Sequence, residues 1–182
     1  MKYLTSLSVL ILFSITTVSS QDLGYKTTDV GGDIQYQPDG LLLHLHLAFN
    51  AKTHHTVIFR AGYNKINTGS PIHSSEVGNG WGGSLGYRYY FNPVPRKFFA
   101  GFRLDAYKMT VHWSIPVTES DTKIAFLQPA IETGYTFLIN DLFFITPHLS
   151  AGYQLKISSK GEAVAYGEGF VPMAGISAGW RF

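Results

Sequence analysis

The sequence predicts an all-β protein, an eight-stranded antiparallel transmembrane β-barrel with short periplasmic turns and longer extracellular loops. Seven stretches alternate large apolar residues with small or polar ones, and this period of two is typical of strands. Only 14% of the 182 residues are charged, whereas 15% are aromatic and 19 are glycine. That composition differs from the roughly 25% charged residues of an ordinary soluble domain.

The composition also excludes several classes of function. The chain contains no cysteine, which rules out disulfide scaffolds and thiolate zinc sites. Lys plus Arg is 14, Asp plus Glu is 12, and the net charge is only +2. Binding to nucleic acid requires a basic face that neutralises phosphates. We therefore predict a single domain with no nucleic-acid partner.

Residues 1–20 are predicted to be a signal peptide that is cleaved. Lys2 supplies a positive start, the apolar stretch is centred on residues 9–13, and small residues at 18–20 precede the cleavage site. The apolar run is shorter than the roughly 20 residues of a membrane-spanning helix. The mature chain, residues 21–182, is expected to be exported and to form the barrel.

Eight strands are predicted along the mature chain. The first has little pattern of its own, but an even barrel with both ends on one side requires it. The other seven are recognised by their alternation. The predicted ranges are about 28–37, 40–50, 56–65, 80–91, 97–112, 123–138, 142–157 and 170–182.

The two faces of these strands differ in a way that indicates a membrane. One face carries large apolar residues such as Leu45, Phe102 and Leu149, and the other is mostly Gly, Ala, Ser and Thr with isolated charges. An eight-stranded barrel has a lumen only just wide enough for side chains, so we predict that the small and charged face lines the lumen. The apolar face then contacts lipid. The rival fold is a soluble β-sandwich or a lipocalin-like carrier, in which the apolar face lies inside.

The lengths of the connections orient the barrel. The connections near 51–55, 92–96 and 139–141 are short, whereas those at 65–79, 113–122 and 158–168 are longer and polar. Short turns lie on the periplasmic side of outer-membrane barrels. Aromatic residues beside the short turns and the C-terminus are then predicted to form a girdle at the periplasmic interface: Phe49, Phe91, Phe98, Phe137, Phe143, Trp180 and Phe182.

Three segments resemble known outer-membrane proteins. Residues 174–182, Ala-Gly-Ile-Ser-Ala-Gly-Trp-Arg-Phe, resemble the C-terminal assembly signal of outer-membrane barrels, and residues 80–91 and 147–153 resemble strands of small β-barrel proteins common in Bacteroidota. The resemblance covers about residues 28–182. It implies insertion by the barrel-assembly machinery through the strand that ends in Phe182, and it implies no catalytic residue set. We accordingly predict a cofactor-free monomer in the bacterial outer membrane, in contact with its lipids and lipopolysaccharide.

Charged residues and histidines are predicted to fill the lumen as a plug, since opposite charges persist in a narrow interior only when they are paired. A narrow pore for small solutes or ions is the alternative. His44 and His46 share one strand face and could share a metal, but no third ligand lies nearby in sequence, so no metal site is predicted. The predicted lumen residues are Arg60, Arg88, Arg103, Asp105, Glu132, His148, His44 and His46.

One outward-facing pair suggests chemistry. His112 and Ser114, with Glu119 beyond, resemble the His-x-Ser element of outer-membrane lipid A deacylases, which implies hydrolysis of an acyl ester. Those enzymes continue with Asn-Ala-Gly near the chain end, whereas residues 115–117 here are Ile-Pro-Val in mid-chain. We therefore predict a non-enzymatic structural or surface-interaction role, with an outer-leaflet lipid A hydrolase as an alternative.

Overall fold

Eight antiparallel strands form a closed barrel in which each strand is hydrogen-bonded to the next along the chain and the last pairs with the first. The computed structural model describes residues 28–51, 54–67, 75–93, 96–115, 118–161 and 168–182, without the side chains of 75–76, 113–115 and 118–120. The predicted fold class is confirmed. The strands are β1 Thr28–Gln37, β2 Gly40–Ala51, β3 His55–Asn67, β4 Ser75–Tyr90, β5 Lys97–Ile115, β6 Thr118–Ile139, β7 Phe143–Lys160 and β8 Gly169–Arg181.

The predicted signal peptide at 1–20 lies outside the described residues. Within the described ranges, no helix has the length and apolar character needed to cross a membrane.

At the extracellular end the strands run further than the alternation predicts. Strand β4 begins at Ser75, β5 ends at Ile115 and β6 begins at Thr118, so most of the polar connection expected at 113–122 is strand. The regular alternation of large apolar and small residues stops in this segment, whereas the backbone ladder between β5 and β6 continues to the pair Ile115 and Thr118.

The barrel closes between β1 and β8. Residues Asp29–Tyr36 pair with residues Ala174–Arg181, and Thr28 and Phe182 exchange two backbone hydrogen bonds of 3.2 and 2.8 Å. Strand β1 is therefore held by its two neighbours in spite of its weak sequence pattern.

The turn between β6 and β7 explains one short connection. The N–H of Leu142 donates to the carbonyl oxygen of Ile139 at 3.1 Å. Asn140 and Asp141 have φ values of 51° and 53°, the left-handed pair of a type I′ turn. Asn and Asp tolerate this conformation better than most residues, so the local sequence permits a tight reversal between Ile139 and Phe143.

The exterior is apolar over the height of the membrane, and the middle of the interior is polar. Leu45, Phe102 and Leu149 are 75%, 62% and 62% exposed, whereas Arg103 and Glu132 are 2% and 3% exposed. A soluble protein rarely exposes so continuous an apolar surface, and hydrocarbon is the solvent that suits it. The chain is thus a transmembrane barrel of the outer-membrane type, and the soluble rivals with an apolar inner face are excluded.

Aromatic residues mark both edges of the apolar band. On the outer faces of β4, β7 and β8, Trp81 and Phe91, Tyr153 and Phe143, and Phe170 and Trp180 are each ten residues apart. Ten residues of a strand tilted by about 40° span about 25 Å, the height of the apolar band of outer-membrane barrels. The predicted girdle residues all lie on the outer face near the periplasmic end. The upper row, formed by Tyr36, Tyr63, Trp81, Tyr153 and Phe170, is not predicted from the sequence.

Candidate functional site

The middle of the barrel interior holds a layer of charged and polar side chains. All eight lumen residues predicted from the sequence are buried there, with exposures of 2–6%. Strands β2 to β7 each contribute at least one of them, because inward positions recur at every second residue. These residues are Arg60, Arg88, Arg103, Asp105, Glu132, His148, His44 and His46.

Glu132 is the first centre of this layer. Its Oε1 lies 2.7 Å from Arg88 Nε, and its Oε2 lies 3.2 Å from Arg60 Nη2 and 3.7 Å from Arg103 Nη1. Three guanidinium groups from β3, β4 and β5 thus converge on one carboxylate of β6. Such an ion cluster is stable in a dry interior because each charge has a partner.

Asp33 is the second centre, and sequence reasoning missed it. Its Oδ2 accepts a hydrogen bond from Gln35 Nε2 at 2.5 Å and lies 3.4 Å from Arg60 Nε. His44 Nδ1 and His148 Nε2 lie 3.5 and 3.6 Å from its two oxygens. The sequence contains a signal for Asp33 in the alternation of β1. Since Ile34 and Tyr36 point outward, the odd-numbered residues of β1 point inward.

Arg103 joins the two centres to a third carboxylate. Its Nε lies 3.1 Å from Asp105 Oδ2, and its Nη2 donates to Gln35 Oε1 at 2.7 Å. Three arginines therefore face three carboxylates in this layer. The formal charges of these six side chains therefore balance within the layer.

The two histidines of β2 have separate partners. His44 Nε2 is hydrogen-bonded to the Tyr107 hydroxyl, while the His46 ring packs against Phe144 with centroids 5.4 Å apart. Among the described residues, no group of three His, Cys, Asp or Glu side chains is arranged to hold a metal ion. The arrangement shows how both imidazoles fill space in the lumen.

Layers of buried apolar side chains, with polar ones such as Thr56 and Asn64 among them, close the interior above and below the charged layer. This differs from the expectation of small and ionic residues throughout. At the periplasmic end, Ile58, Tyr90, Phe99 and Phe144 are at most 3% exposed. At the extracellular end, the interior is filled by a buried cluster of Leu42, Ile66, Tyr107, Met109, Val111, Ile124, Phe126, Ala130, Val171 and Met173.

Inward glycines make room for the histidines. A Cβ added to Gly62 would lie 2.5 Å from His44 Cδ2, and one added to Gly175 would lie 2.7 Å from His148 Nε2. Both distances are far below a van der Waals contact. The carbonyl oxygen of Leu43 would be nearer still to a Cβ on Gly62, at 2.0 Å. Close approach of the backbone and side chains of the neighbouring strands is therefore the reason for glycine at these two positions.

At the extracellular end, the carboxylate that contacts outward-facing His112 is Asp121, whereas the sequence suggests Glu119. His112 Nδ1 lies 2.5 Å from Asp121 Oδ1, and the ladder pairs these two residues directly. Ser114 is opposite Glu119 in the same ladder, and the side chains of both lie outside the described part. The contact orients the His112 ring on the outer face.

Comparison with known proteins finds likeness in structure and not in sequence. No protein-family model matches the chain, and no curated protein matches it. The crystal structure of Ail, the attachment invasion locus protein of Yersinia pestis, has a TM-score of 0.55 at 13% identity and covers 86% of this chain and 97% of its own. Ail in complex with the heparin analogue sucrose octasulfate gives a TM-score of 0.53 at 13% identity over 86% and 97% of the two chains.

The N-terminal β-barrel domain of Pseudomonas aeruginosa OprF is similar to the same extent. Its TM-score is 0.53 at 10% identity, and the match covers 87% of this chain and 98% of that domain. Identities this low establish the fold alone. The fold they establish is a small eight-stranded barrel of the bacterial outer-membrane type.

Proposed function

We propose that this chain is a non-conducting outer-membrane barrel with a structural or surface-interaction role. The observation that carries the proposal is the sealed interior. Paired charges occupy the middle of the lumen, and buried apolar side chains fill it at both ends. An ion crossing such an interior would leave water without gaining a compensating site, which costs many kcal/mol.

Planar-bilayer recording tests the sealed interior. The purified barrel is expected to give no unitary conductance steps, and Glu132→Gln is expected to give none either. The narrow pore is the alternative, since the charged layer would form its polar path. Regular steps in the wild type whose size changes in Glu132→Gln would establish the pore and reject the plug.

The extended β5–β6 hairpin supports a role at the cell surface. From Lys108, beside the upper aromatic row, β5 continues to Ile115, and seven residues of tilted strand rise about 18 Å. The attachment invasion locus protein Ail shares the fold, and contact at the cell surface is a role of the same general class. We propose that the hairpin presents the contact surface.

A complementation experiment separates the structural role from the surface role. A strain that lacks the protein is complemented with the wild type or with a variant in which an Asn-Gly turn replaces residues 113–120. A structural role predicts that both restore resistance to bile-salt detergents. A surface role predicts that only the wild type restores attachment to a surface. If the deletion changes neither property, both roles are rejected.

The C-terminal residue Phe182 bears on the family and the assembly of the barrel. Phe182 lies on the outer face, 68% exposed, where a receptor could read it before the barrel closes. We propose membership of the Bacteroidota barrels, a monomeric state, and insertion through this C-terminal strand. Deletion of Phe182 should reduce the folded outer-membrane fraction several-fold, and an unchanged fraction would argue against recognition of this residue.

The lipid A hydrolase remains a second candidate because of one contact. Asp121 holds His112 by the Nδ1 atom, which leaves Nε2 as the proton acceptor, the arrangement of a serine hydrolase base. Mass spectrometry of lipid A from cells expressing the wild type or Ser114→Ala tests it. A missing acyl chain that returns in the variant would support hydrolysis, whereas identical acylation would end the idea.

A further inference from the structure

A cavity of about 600 Å³ opens on the outer wall of the barrel near its extracellular end. Its lining includes Trp81, Lys108, Lys123, Ala125 and Lys160. The backbone register sets these side by side, since Trp81 pairs with Lys108, Lys108 with Ala125, and Lys123 with Lys160. Apart from half-buried Ala125, these side chains are exposed on the outer face. The cavity therefore belongs to the lipid side of the wall and not to the lumen.

The cavity lies at the height of lipid headgroups. Trp81 belongs to the upper aromatic row, and Lys108 is ten residues from Phe98 of the periplasmic girdle. This distance is the full height of the apolar band. Lys123 and Lys160 lie two residue pairs of the ladder further from the membrane centre than Lys108. The three ammonium groups thus lie at the interface where the phosphates of the outer leaflet lie.

A β-bulge in β7 turns Lys160 towards this face. Below the bulge, even-numbered residues such as Gln154 are buried in the interior. At Ile157 the ladder to β6 shifts register, with one extra residue on β7. Above it, Lys160 shares the outward face of Lys123. Bulges commonly re-aim a side chain in this way, and here the result is a third lysine at the cavity.

The lysines have no anionic partner within the described side chains. Lys123 and Lys160 are directly opposite in the ladder, and like charges so placed are destabilising. Among the described side chains of β6, the carboxylate on the same face is Asp121, and it lies 2.5 Å from His112. No described carboxylate lies within ion-pair distance of Lys108, Lys123 or Lys160. The wall therefore concentrates positive charge that an external anion would neutralise.

We propose that this cavity binds the phosphorylated headgroup of an outer-leaflet lipid. Lys108, Lys123 and Lys160 donate charge-assisted hydrogen bonds to phosphate oxygens, and Trp81 packs at the level of the headgroup sugars. Ala125 has a small side chain, which leaves the depth of the cavity for the ligand. The lower edge continues into the apolar band, so a lipid can keep its acyl chains in hydrocarbon while its phosphate reaches the lysines. The proposal depends on the barrel spanning the membrane and not on a closed lumen.

The test uses the purified full barrel in phosphatidylcholine nanodiscs that contain either diphosphoryl lipid A or fully dephosphorylated lipid A. Native mass spectrometry counts the lipid A molecules that stay bound. The wild type is expected to retain the phosphorylated form at least tenfold better. An interfacial lysine contributes about 1 kcal/mol to binding an anionic lipid surface, which is about fivefold in affinity, so each Lys→Gln change should weaken retention about fivefold.

Matched variants exclude a general charge effect. Lys65 lies on β3 and pairs with Asn79, which lines the cavity, but Lys65 itself does not line it. Lys65→Gln should therefore retain the phosphorylated lipid. The triple Lys→Arg variant should also retain it, whereas the triple Lys→Gln variant should lose it. Heat-modifiability on a gel reports folding, and single Lys160→Gln replaces the triple variant if that does not fold. Three outcomes would each overturn the proposal. The wild type could retain both lipid A forms equally, or Lys65→Gln could lose as much phosphorylated lipid A as the single cavity variants do. Millimolar inorganic phosphate could also displace the bound lipid A.

Discussion

Arg88 and Glu132 meet inside the barrel, with Arg88 Nε 2.7 Å from Glu132 Oε1, although their strands are not neighbours. Strand β5 lies between β4 and β6. The contact therefore passes through the lumen and does not join two strands that are hydrogen-bonded to each other. Arg60 reaches the same carboxylate from β3. The walls of the barrel are thus linked through its interior by charges.

Removal of the central carboxylate should destabilise the barrel strongly. In Glu132→Gln, three buried guanidinium groups lose their common counter-charge, and we expect a loss of about 3–5 kcal/mol in the free energy of unfolding. Urea unfolding in lipid vesicles measures it. Ser150→Ala is the control, because Ser150 faces Glu132 in the ladder without charge. A loss below about 1 kcal/mol in Glu132→Gln would contradict the proposed role of the charged layer.

The lipid face predicts a depth-dependent cost for arginine. Leu149 and Tyr153 both point outward from β7, and Tyr153 belongs to the upper aromatic row while Leu149 is nearer mid-depth. Leu149→Arg should cost about 2–4 kcal/mol, and Tyr153→Arg about 0–1 kcal/mol. The same unfolding assay compares the two variants. Equal costs at both positions would mean that the membrane band is misplaced.

Replacement of glycine by alanine should change the stability differently on the inner and outer faces of the barrel wall. A Cβ on Gly175 would lie 2.6 Å from Gln35 Cγ and 2.7 Å from His148 Nε2, whereas one on Gly32 would meet nothing nearer than 3.8 Å. Gly175→Ala should cost about 1–3 kcal/mol through overpacking. Gly32→Ala should be neutral or stabilising by up to about 1 kcal/mol. Thermal unfolding followed by circular dichroism distinguishes these outcomes, and a tolerated Gly175→Ala would show that the interior is loose.

At the seam, where β1 pairs with β8, the ion pair of Asp29 and Arg181 should show a strong coupling free energy. Arg181 Nε and Nη2 donate to Asp29 Oδ1 and Oδ2 at 2.6 and 2.7 Å, with both residues buried. A double-mutant cycle with Asp29→Asn and Arg181→Gln should give a coupling of about 1–3 kcal/mol. The pair of half-buried Lys156 and exposed Glu168, 3.8 Å apart, should give less than about 1 kcal/mol because water screens the carboxylate. A seam coupling no larger than that of the surface pair would refute a role in closure.

Sequence reasoning predicted the faces of the strands because lipid and lumen demand opposite chemistry. Leu45 and Leu149 are exposed, and Arg103 and Glu132 are buried, as the alternation indicates. A period of two tells only which positions share a face. The chemistry of a narrow interior then determined which face lies inside.

The apolar end layers could not be predicted in the same way. At Phe98 and Phe99, as at Phe143 and Phe144, adjacent positions are both aromatic, so the alternation does not distinguish a girdle residue from an interior one. Phe99 and Phe144 are buried inside. Asp33 was missed because the glycines of β1 obscure its pattern.

The cavity lined by the three lysines could not be predicted from the sequence, for another reason. The bulge at Ile157 has no local signal, since neither glycine nor proline accompanies it. Counting by twos through it places Lys160 on the lumen side with Gln154. Only the register shift between β6 and β7 shows that Lys160 joins Lys123 on the wall.

The seam between β1 and β8 has a consequence for how the molecule opens and closes. Its contacts join residues 152 positions apart, as in Asp29 and Arg181, so it carries the largest loop-closure entropy of any strand pair. It is also short, with eight paired residues in the ladder. We expect β1 and β8 to be the last strands to zip together during folding and the first to separate on heating, which makes this junction the natural entry point for a docking strand.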